Sequence, residues 1–250
     1  LADIEQKALD ATVAVLKAGG GRCLGVLTDV SKAGDVQGLA DAALAEFGAI
    51  HIACNNAGVF AGGLLWEQSL ADFQWQLDVN VWGVIHGIRT FIPIMAGQDS
   101  ECHIVNTASM AAVTAMPYSG IYHMTKHAVL GLSESLYHEL AFHVPNVKVS
   151  VLCPEAINTG IARSERNRPS AYSRPGDVVQ SDARTMVTQA LADSVAEGLG
   201  PEVMAQRVFD AIVAERFYIL SEEAWRETAH IRLEDIRLGR NPTFAPPVNL

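Results

Sequence analysis

Strand-like and helix-like segments take turns along this chain, and that alternation leaves few folds open. Apolar runs the length of a buried strand occur at 23–27, 50–54, 103–107, 147–152 and 217–220. Between them lie segments of helical periodicity at 4–18, 33–47, 70–92, 120–143, 182–198 and 201–215. In the first of these, apolar side chains fall at 4, 8, 9, 13 and 16, one face of a helix, and Gly19-Gly20-Gly21 closes it. Each crossover is long enough for a βαβ unit, so the strands should run parallel and be covered on both faces. The expected fold is α/β, a doubly wound parallel sheet in three αβα layers, made by one domain over 1–250. Ligands of such sheets bind beyond the C-terminal ends of the strands.

A chain of 250 residues, 49% apolar and 18% charged, can build a sizeable core. Its 18 basic and 28 acidic side chains give a net charge of -10, the wrong sign for holding a phosphate backbone, so nucleic acid is not an expected partner. Asn80, His86, Arg89 or a glycine interrupts each long apolar stretch before the roughly 18 residues of a membrane helix, so no membrane partner is expected. Cys23, Cys54, Cys102 and Cys153 are far apart among apolar neighbours and read as buried free thiols. With no basic and apolar leader in view, a cytoplasmic protein is expected. Residues 161–200 are dense in Arg, Glu and turn formers, and the proline-rich 240–250 reads as an extended tail.

Chemistry concentrates at Tyr122-His-Met-Thr-Lys126 within the helix 120–143, thirteen residues after Ser109 at a strand end. Positions i and i+4 share a helix face, so an ammonium can lie near the phenol. A phenol with a pKa of about 10 is a poor acid or base at neutral pH, and a nearby cation favours its phenolate. By itself this pair is as readily packing plus a solvated amine. Its context is Asn55-Asn56-Ala57-Gly58 after one strand, Asp78-Val79-Asn80 in the long helix, and Ser109 after another strand. His123 and His127 have the spacing of a helical zinc site. Met124 stands where the metalloprotease form has Glu, however, and Lys126 adds a repelling charge, so no metal is expected. Ser109 lies in Thr-Ala-Ser-Met-Ala and not in the G-x-S-x-G of a serine hydrolase.

Taken together, in this order and spacing, these motifs resemble the short-chain dehydrogenase/reductase family over residues 1 to about 160 and again over 201–220. The resemblance implies a Rossmann-like fold and hydride transfer between a nicotinamide and an alcohol or carbonyl carbon. It makes Tyr122 the proton donor and acceptor, and Lys126 the residue that lowers the phenol pKa and binds the nicotinamide ribose. Ser109 would hold the substrate oxygen, and Asn80 would anchor a water in the proton relay. For the cofactor it implies Asp29 and Val30 at the adenine, Asn56, Ala57 and Gly58, with Asn55, at the adenosine ribose, and Ile157 and Thr159 at the carboxamide. Asp3 matches an acidic strand end that accepts from the ribose 2′-OH and repels a 2′-phosphate, so NAD is expected over NADP. Read without the family, Asp29 is equally a cap or turn residue and Asp3 equally the N-cap of the first helix.

The sequence departs from the family in two places. No glycine-rich phosphate turn is present, and the family's first strand and helix would precede Leu1, so the chain reads as a member lacking its first βα unit. That predicts two half-sheets with unpaired inner edges, poor folding, and NAD binding that is weak or absent. Glu155 follows Pro154 where the family has Gly. The family also implies a substrate lid at 161–200 and a dimer or tetramer formed through the helices 70–92 and 120–143 and the last strand. From 218 to 228 the chain is similar to bacterial dehydrogenases of benzylic secondary alcohols. Phe60, Trp66, Met110, Met116 and Tyr118 are placed by motif order near the mouth, which suits an apolar or aromatic substrate. The alternative from another class is a non-catalytic chain that keeps the fold as a binding or oligomerisation partner.

Overall fold

The computed structural model describes residues 1–173, 181–220 and 223–246. In chain order, β1 (Ala2–Asp3), α1 (Gln6–Ala18), β2 (Val26–Leu27), α2 (Ala33–Phe47) and β3 (Ile52–Asn55) come first. They are followed by α3 (Leu70–Leu77), a π-helical turn (Asp78–Trp82), α4 (Gly83–Ala96), β4 (Cys102–Thr107), α5 (Gly120–His143) and β5 (Val147–Cys153). Two 3-10 segments (Ile161–Asn167 and Ser170–Tyr172), α6 (Asp182–Ala196), α7 (Pro201–Val213), β6 (Tyr218–Leu220) and α8 (Glu223–Leu238) complete the described chain.

All strand pairings are parallel. Among the described residues β1 pairs only with β2, while β3, β4, β5 and β6 form a second sheet in that order, so the expected division into two half-sheets holds. Alternate residues of β4 serve opposite faces, as period two requires. Ile104 packs with Phe91, Met95, Leu136 and Leu140 from α4 and α5, whereas Val105 packs with Met204 and Ala211 of α7. That is the three-layer arrangement expected from the alternation of segments.

Four expectations change. The run 23–27 is a strand only at Val26–Leu27, because β1 lies beside just those two residues. The helix expected at 70–92 is three pieces and extends to Ala96. Its break is a single widened turn at Asn80, whose buried side chain reaches out to another segment. α8 was not foreseen: among its buried residues are Thr228, Ala229 and Asp235, which give little apolar periodicity. Cys54 is exposed on the outer strand β3 and Cys23 only half-buried, whereas Cys102 and Cys153 are buried.

By length and composition Leu70–Ala96 could cross a bilayer. Here its pieces lie against α2, α5, β3 and β4. The region 161–200 holds short helical turns and α6, and its residues 174–180 fall outside the described chain. The tail has no regular structure over 240–246, where the Thr243 N–H donates to Asp235 Oδ2 at 2.8 Å; 247–250 lie outside.

Candidate active site

Three strand ends make the floor of the site. β3 ends at Asn55, β4 at Thr107 and β5 at Cys153, and because these strands are parallel neighbours their following turns sit side by side. Polar bonds stitch the turns together. Asn55 Nδ2 donates to Asn106 Oδ1 at 2.8 Å, and Asn106 Nδ2 to Ser133 Oγ of α5 at 3.0 Å. Thr107 Oγ1 donates to Asn56 Oδ1 at 3.1 Å, and the Met110 N–H to the Pro154 carbonyl at 3.0 Å. A site at this edge is where a parallel sheet leaves its ligand surface.

Over this floor α5 carries Tyr122 and Lys126 one turn apart. Lys126 is 3% exposed, and its ammonium donates to the Thr107 carbonyl at 2.9 Å while lying 5.6 Å from the centre of the Tyr122 ring. Burial drives the Lys126 pKa down to about 8, with Cys153 pulling weakly the other way. The Tyr122 ring packs edge-on against Phe60 at 5.3 Å, and its hydroxyl is hydrogen-bonded to Ser109. Burial pushes this phenol up to about 12 against the lowering effect of the Ser109 bond. In this state desolvation outweighs the tuning anticipated from the neighbouring cation. Ser109 Oγ also accepts the Ala111 N–H at 3.1 Å, so the hydroxyl is both a strand-end cap and a partner of the phenol.

Asn80 is fully buried in the π turn. Its Oδ1 accepts the Val59 N–H at 2.8 Å, and its Nδ2 donates to the Val59 carbonyl at 3.0 Å and to Thr125 Oγ1 at 3.1 Å. The amide therefore braces the segment after Gly58 against α5, and a water held by Asn80 would have to use the backbone carbonyl. Gly58 stands where a Cβ would meet Asn80 Oδ1 at 3.5 Å and Lys126 Nζ at 3.6 Å, which places all three together.

The residues assigned to the cofactor spread along the same edge. Asn56 and Ala57 are exposed and Gly58 half-buried. Asp3 ends β1, is exposed, and its Oδ1 accepts the Glu5 N–H at 2.8 Å, a turn bond; the N-cap of α1 is Glu5 and not Asp3, which corrects the capping alternative. Asp29 is a turn residue: its Oδ1 accepts from the Ser31 N–H and hydroxyl at 3.1 and 2.6 Å, and Lys32 pairs with it at 3.2 Å. Burial alone would raise its pKa, but those bonds outweigh burial and hold the carboxyl below its usual range. The Val30 carbonyl lies 2.9 Å from His86 Nδ1, and its side chain packs on Gly83. Ile157 makes a parallel bridge to Leu199, and Thr159 is exposed two residues beyond.

The donor set suits a nicotinamide dinucleotide at its nucleoside ends. A lysine has three protons to give, and Lys126 spends one on Thr107, which leaves donors for the hydroxyl oxygens of a ribose. For the pyrophosphate no such fit is present among the described residues, where Gly19-Gly20-Gly21 follows α1 and not a strand. Glu155 faces α7: its Oε1 accepts from Arg207 Nη1 at 3.0 Å, while Oε2 is buried and unpartnered among the described residues.

At the mouth, Trp66 is 80% exposed and Tyr118 adopts a left-handed backbone (φ 64°) with its carbonyl accepting the Gly63 N–H. Met116 is half-buried, and Met110 is a correction, because it is buried in the core with Val84, Ala108 and Val129. Each histidine of the α5 pair has its Nδ1 on the carbonyl one turn back, Ser119 for His123 and His123 for His127. The sequence reading missed Thr107 and Thr125. The first acts through its carbonyl, which residue type does not encode, and the second is a small polar residue inside a helix.

A family model described as short chain dehydrogenase matches residues 1–170. The chain is 47% identical to a short-chain dehydrogenase/reductase from Burkholderia phymatum, whose crystal structure is a complex with NAD. The match covers 100% of this chain and 88% of that one, with a TM-score of 0.96. It is 32% identical to 1-deoxy-11-beta-hydroxypentalenate dehydrogenase of Streptomyces exfoliatus, over 99% of this chain and 81% of the relative. It is 29% identical to C alpha-dehydrogenase of Sphingobium, over 91% and 73% respectively.

Proposed function

The chain belongs to the short-chain dehydrogenase family, and from that premise we propose that it interconverts a secondary alcohol and a ketone with NAD, using Tyr122 as general acid and base. The observation that carries this reading is the meeting of Ser109, Tyr122 and Lys126 over one strand edge, braced by Asn80. When bound, the nicotinamide accepts or supplies the hydride. The protein's part is orientation and proton movement. Ser109 holds the substrate oxygen beside the phenol. A phenol held at about 12 is protonated at neutral pH and gives its proton to a ketone oxygen. In the oxidative direction the phenol first gives up its proton to solvent, and the phenolate oxygen then takes the proton of the substrate hydroxyl. The Lys126 ammonium, beside the ring, stabilises the phenolate that would otherwise be left in a dry site.

NAD is supported by the carboxylate of Asp3 at the end of β1, which would repel a 2′-phosphate, and by the NAD complex of the Burkholderia relative. Asp29, Val30, Asn56, Ala57, Gly58, Ile157 and Thr159 complete the assigned cofactor edge. An apolar or aromatic alcohol suits a mouth bearing Phe60, Trp66 and Tyr118. Trp82 in the π turn, with Met124, Tyr137 and Phe142 on α5, is an exposed apolar side chain of the kind a homodimer or homotetramer covers. The four free cysteines suit a reducing, cytoplasmic setting.

Titration with NADH and NADPH, followed by nicotinamide fluorescence, tests the cofactor assignment. NADH should bind more tightly, and Asp3→Ala should narrow the difference. Equal binding of the two would contradict it.

A further inference from the structure

The buried carboxylate of Asp72 has a role that its place in sequence does not require. As the third residue of α3 it closes a capping box, accepting from the Ser69 N–H and hydroxyl at 3.0 and 2.9 Å while its own N–H donates to Ser69 Oγ. A helix cap needs nothing more and ordinarily faces water. Asp72 is instead 0% exposed, beneath two guanidiniums that come from either side of residues 174–180. Arg168 Nη2 donates to Oδ1 at 2.8 Å and Arg184 Nη2, from α6, to Oδ2 at 3.1 Å.

The surroundings make this a joint and not an anion site. Arg168 also pairs with Glu165, so among the described residues two cations meet two carboxylates. The Arg168 guanidinium lies 4.1 Å over the Trp75 ring. Trp75 packs with Val59 and Ala61, and Val59 is the residue whose backbone Asn80 holds on both sides. A second path is more direct: Tyr172 O–H donates to Asp78 Oδ2 at 2.7 Å, and Asp78 begins the π turn that carries Asn80. α6 is also set close on the neighbouring loop, where a Cβ at Gly62 would lie 2.6 Å from Val187.

We propose that Asp72 is a positioning residue that clamps two arms, residues 161–172 and α6, to α3. The inference rests on the dehydrogenase reading in taking those arms as the cover of the substrate mouth. A buried ion triad is stable when all its partners are present and strongly unfavourable when one is lost, so the joint is either made or displaced as a unit. Loosening it weakens binding of the alcohol, which lies under the cover, and leaves the nucleoside end of the cofactor in place.

The test uses the full chain as wild type, Asp72→Asn, Arg184→Met and Arg184→Lys. Hydrogen–deuterium exchange is read over 161–172 and 182–196, NADH affinity by fluorescence, and KM and kcat with α-methylbenzyl alcohol. Asp72→Asn should speed exchange in both arms by about tenfold and raise KM by about tenfold, with kcat and NADH affinity changed by no more than about twofold. Arg184→Met should do the same more weakly, with Arg184→Lys between it and the wild type; it decides the matter if Asp72→Asn fails to fold. Faster exchange in one arm only or in neither, or an unchanged KM, would overturn the clamp. A wild type that oxidises no alcohol would sink the dehydrogenase reading, and the exchange data would still decide the clamp.

Discussion

Replacing Lys126 with Met should change how stability depends on pH, by an amount the site geometry sets. The Lys126 amine is almost wholly buried, with the Thr107 carbonyl as its acceptor, and burial lowers its pKa from 10.5 to about 8. A lysine whose folded pKa is depressed contributes stability above its unfolded pKa and loses it as pH falls through the folded one. Each pH unit between the two is worth about 1.36 kcal/mol, so the wild type should gain about 3 kcal/mol from pH 8 to 10.5. Lys126→Met lacks this term while keeping the volume and most of the apolar stem. Tyr122, raised to about 12, works in the opposite direction above pH 10, where stability held by the neutral phenol is lost as pH rises. Above pH 10 the folded-state amine is already neutral and has no charge to hold the phenolate, so that effect is the same in both proteins and drops out of the comparison. Urea unfolding at several pH values gives the difference between wild type and variant directly. It should grow by about 3 kcal/mol in favour of the wild type over that window. A difference constant to within about 0.5 kcal/mol would show that Lys126 titrates as it does in water, and the argument for a buried amine over the phenol would fail.

Two further perturbations probe the brace and the floor. Asn80→Ala strands the N–H and carbonyl of Val59 in a buried place and should cost about 2–4 kcal/mol in urea unfolding; a loss under about 0.5 kcal/mol would refute the bracing role. Gly87 of α4 packs so close to the Asn55 amide that an added methyl would collide with it. Gly87→Ala should therefore lose about 1–3 kcal/mol in thermal unfolding, and Asn55→Ala should recover most of that loss in the double variant. Additive losses would contradict the collision.

The layers were legible because strand and helix periods are written in side-chain type. Ile104 and Val105 go to opposite faces of β4 whatever else the chain does. The order of Asn56, Asn80, Ser109, Tyr122 and Lys126 was legible as a motif for the same reason, since these roles need particular functional groups. What escaped depends on contacts between distant segments. The π turn at Asn80 exists to let one amide reach Val59, twenty-one positions away, and no local periodicity records it. Met110 carries the same apolar label in a core as at a mouth, and only packing with Val129 decides between them. The rise of the Tyr122 pKa is likewise a property of burial, which the Y-x-x-x-K spacing does not contain. Arg168 and Arg184 look like solvated charges in a charged stretch until Asp72, about a hundred positions earlier, is placed between them.

The proposal that Tyr122 moves the substrate proton is tested most directly by Tyr122→Phe, assayed through NADH formation with a panel of secondary alcohols. The ring that packs on Phe60 is kept, so the variant should fold and bind NADH as the wild type does. Turnover should fall by about a hundredfold or more, the range that a positioned acid and base contributes. A variant that still oxidises the wild type's best alcohol at about the same rate would contradict the assignment.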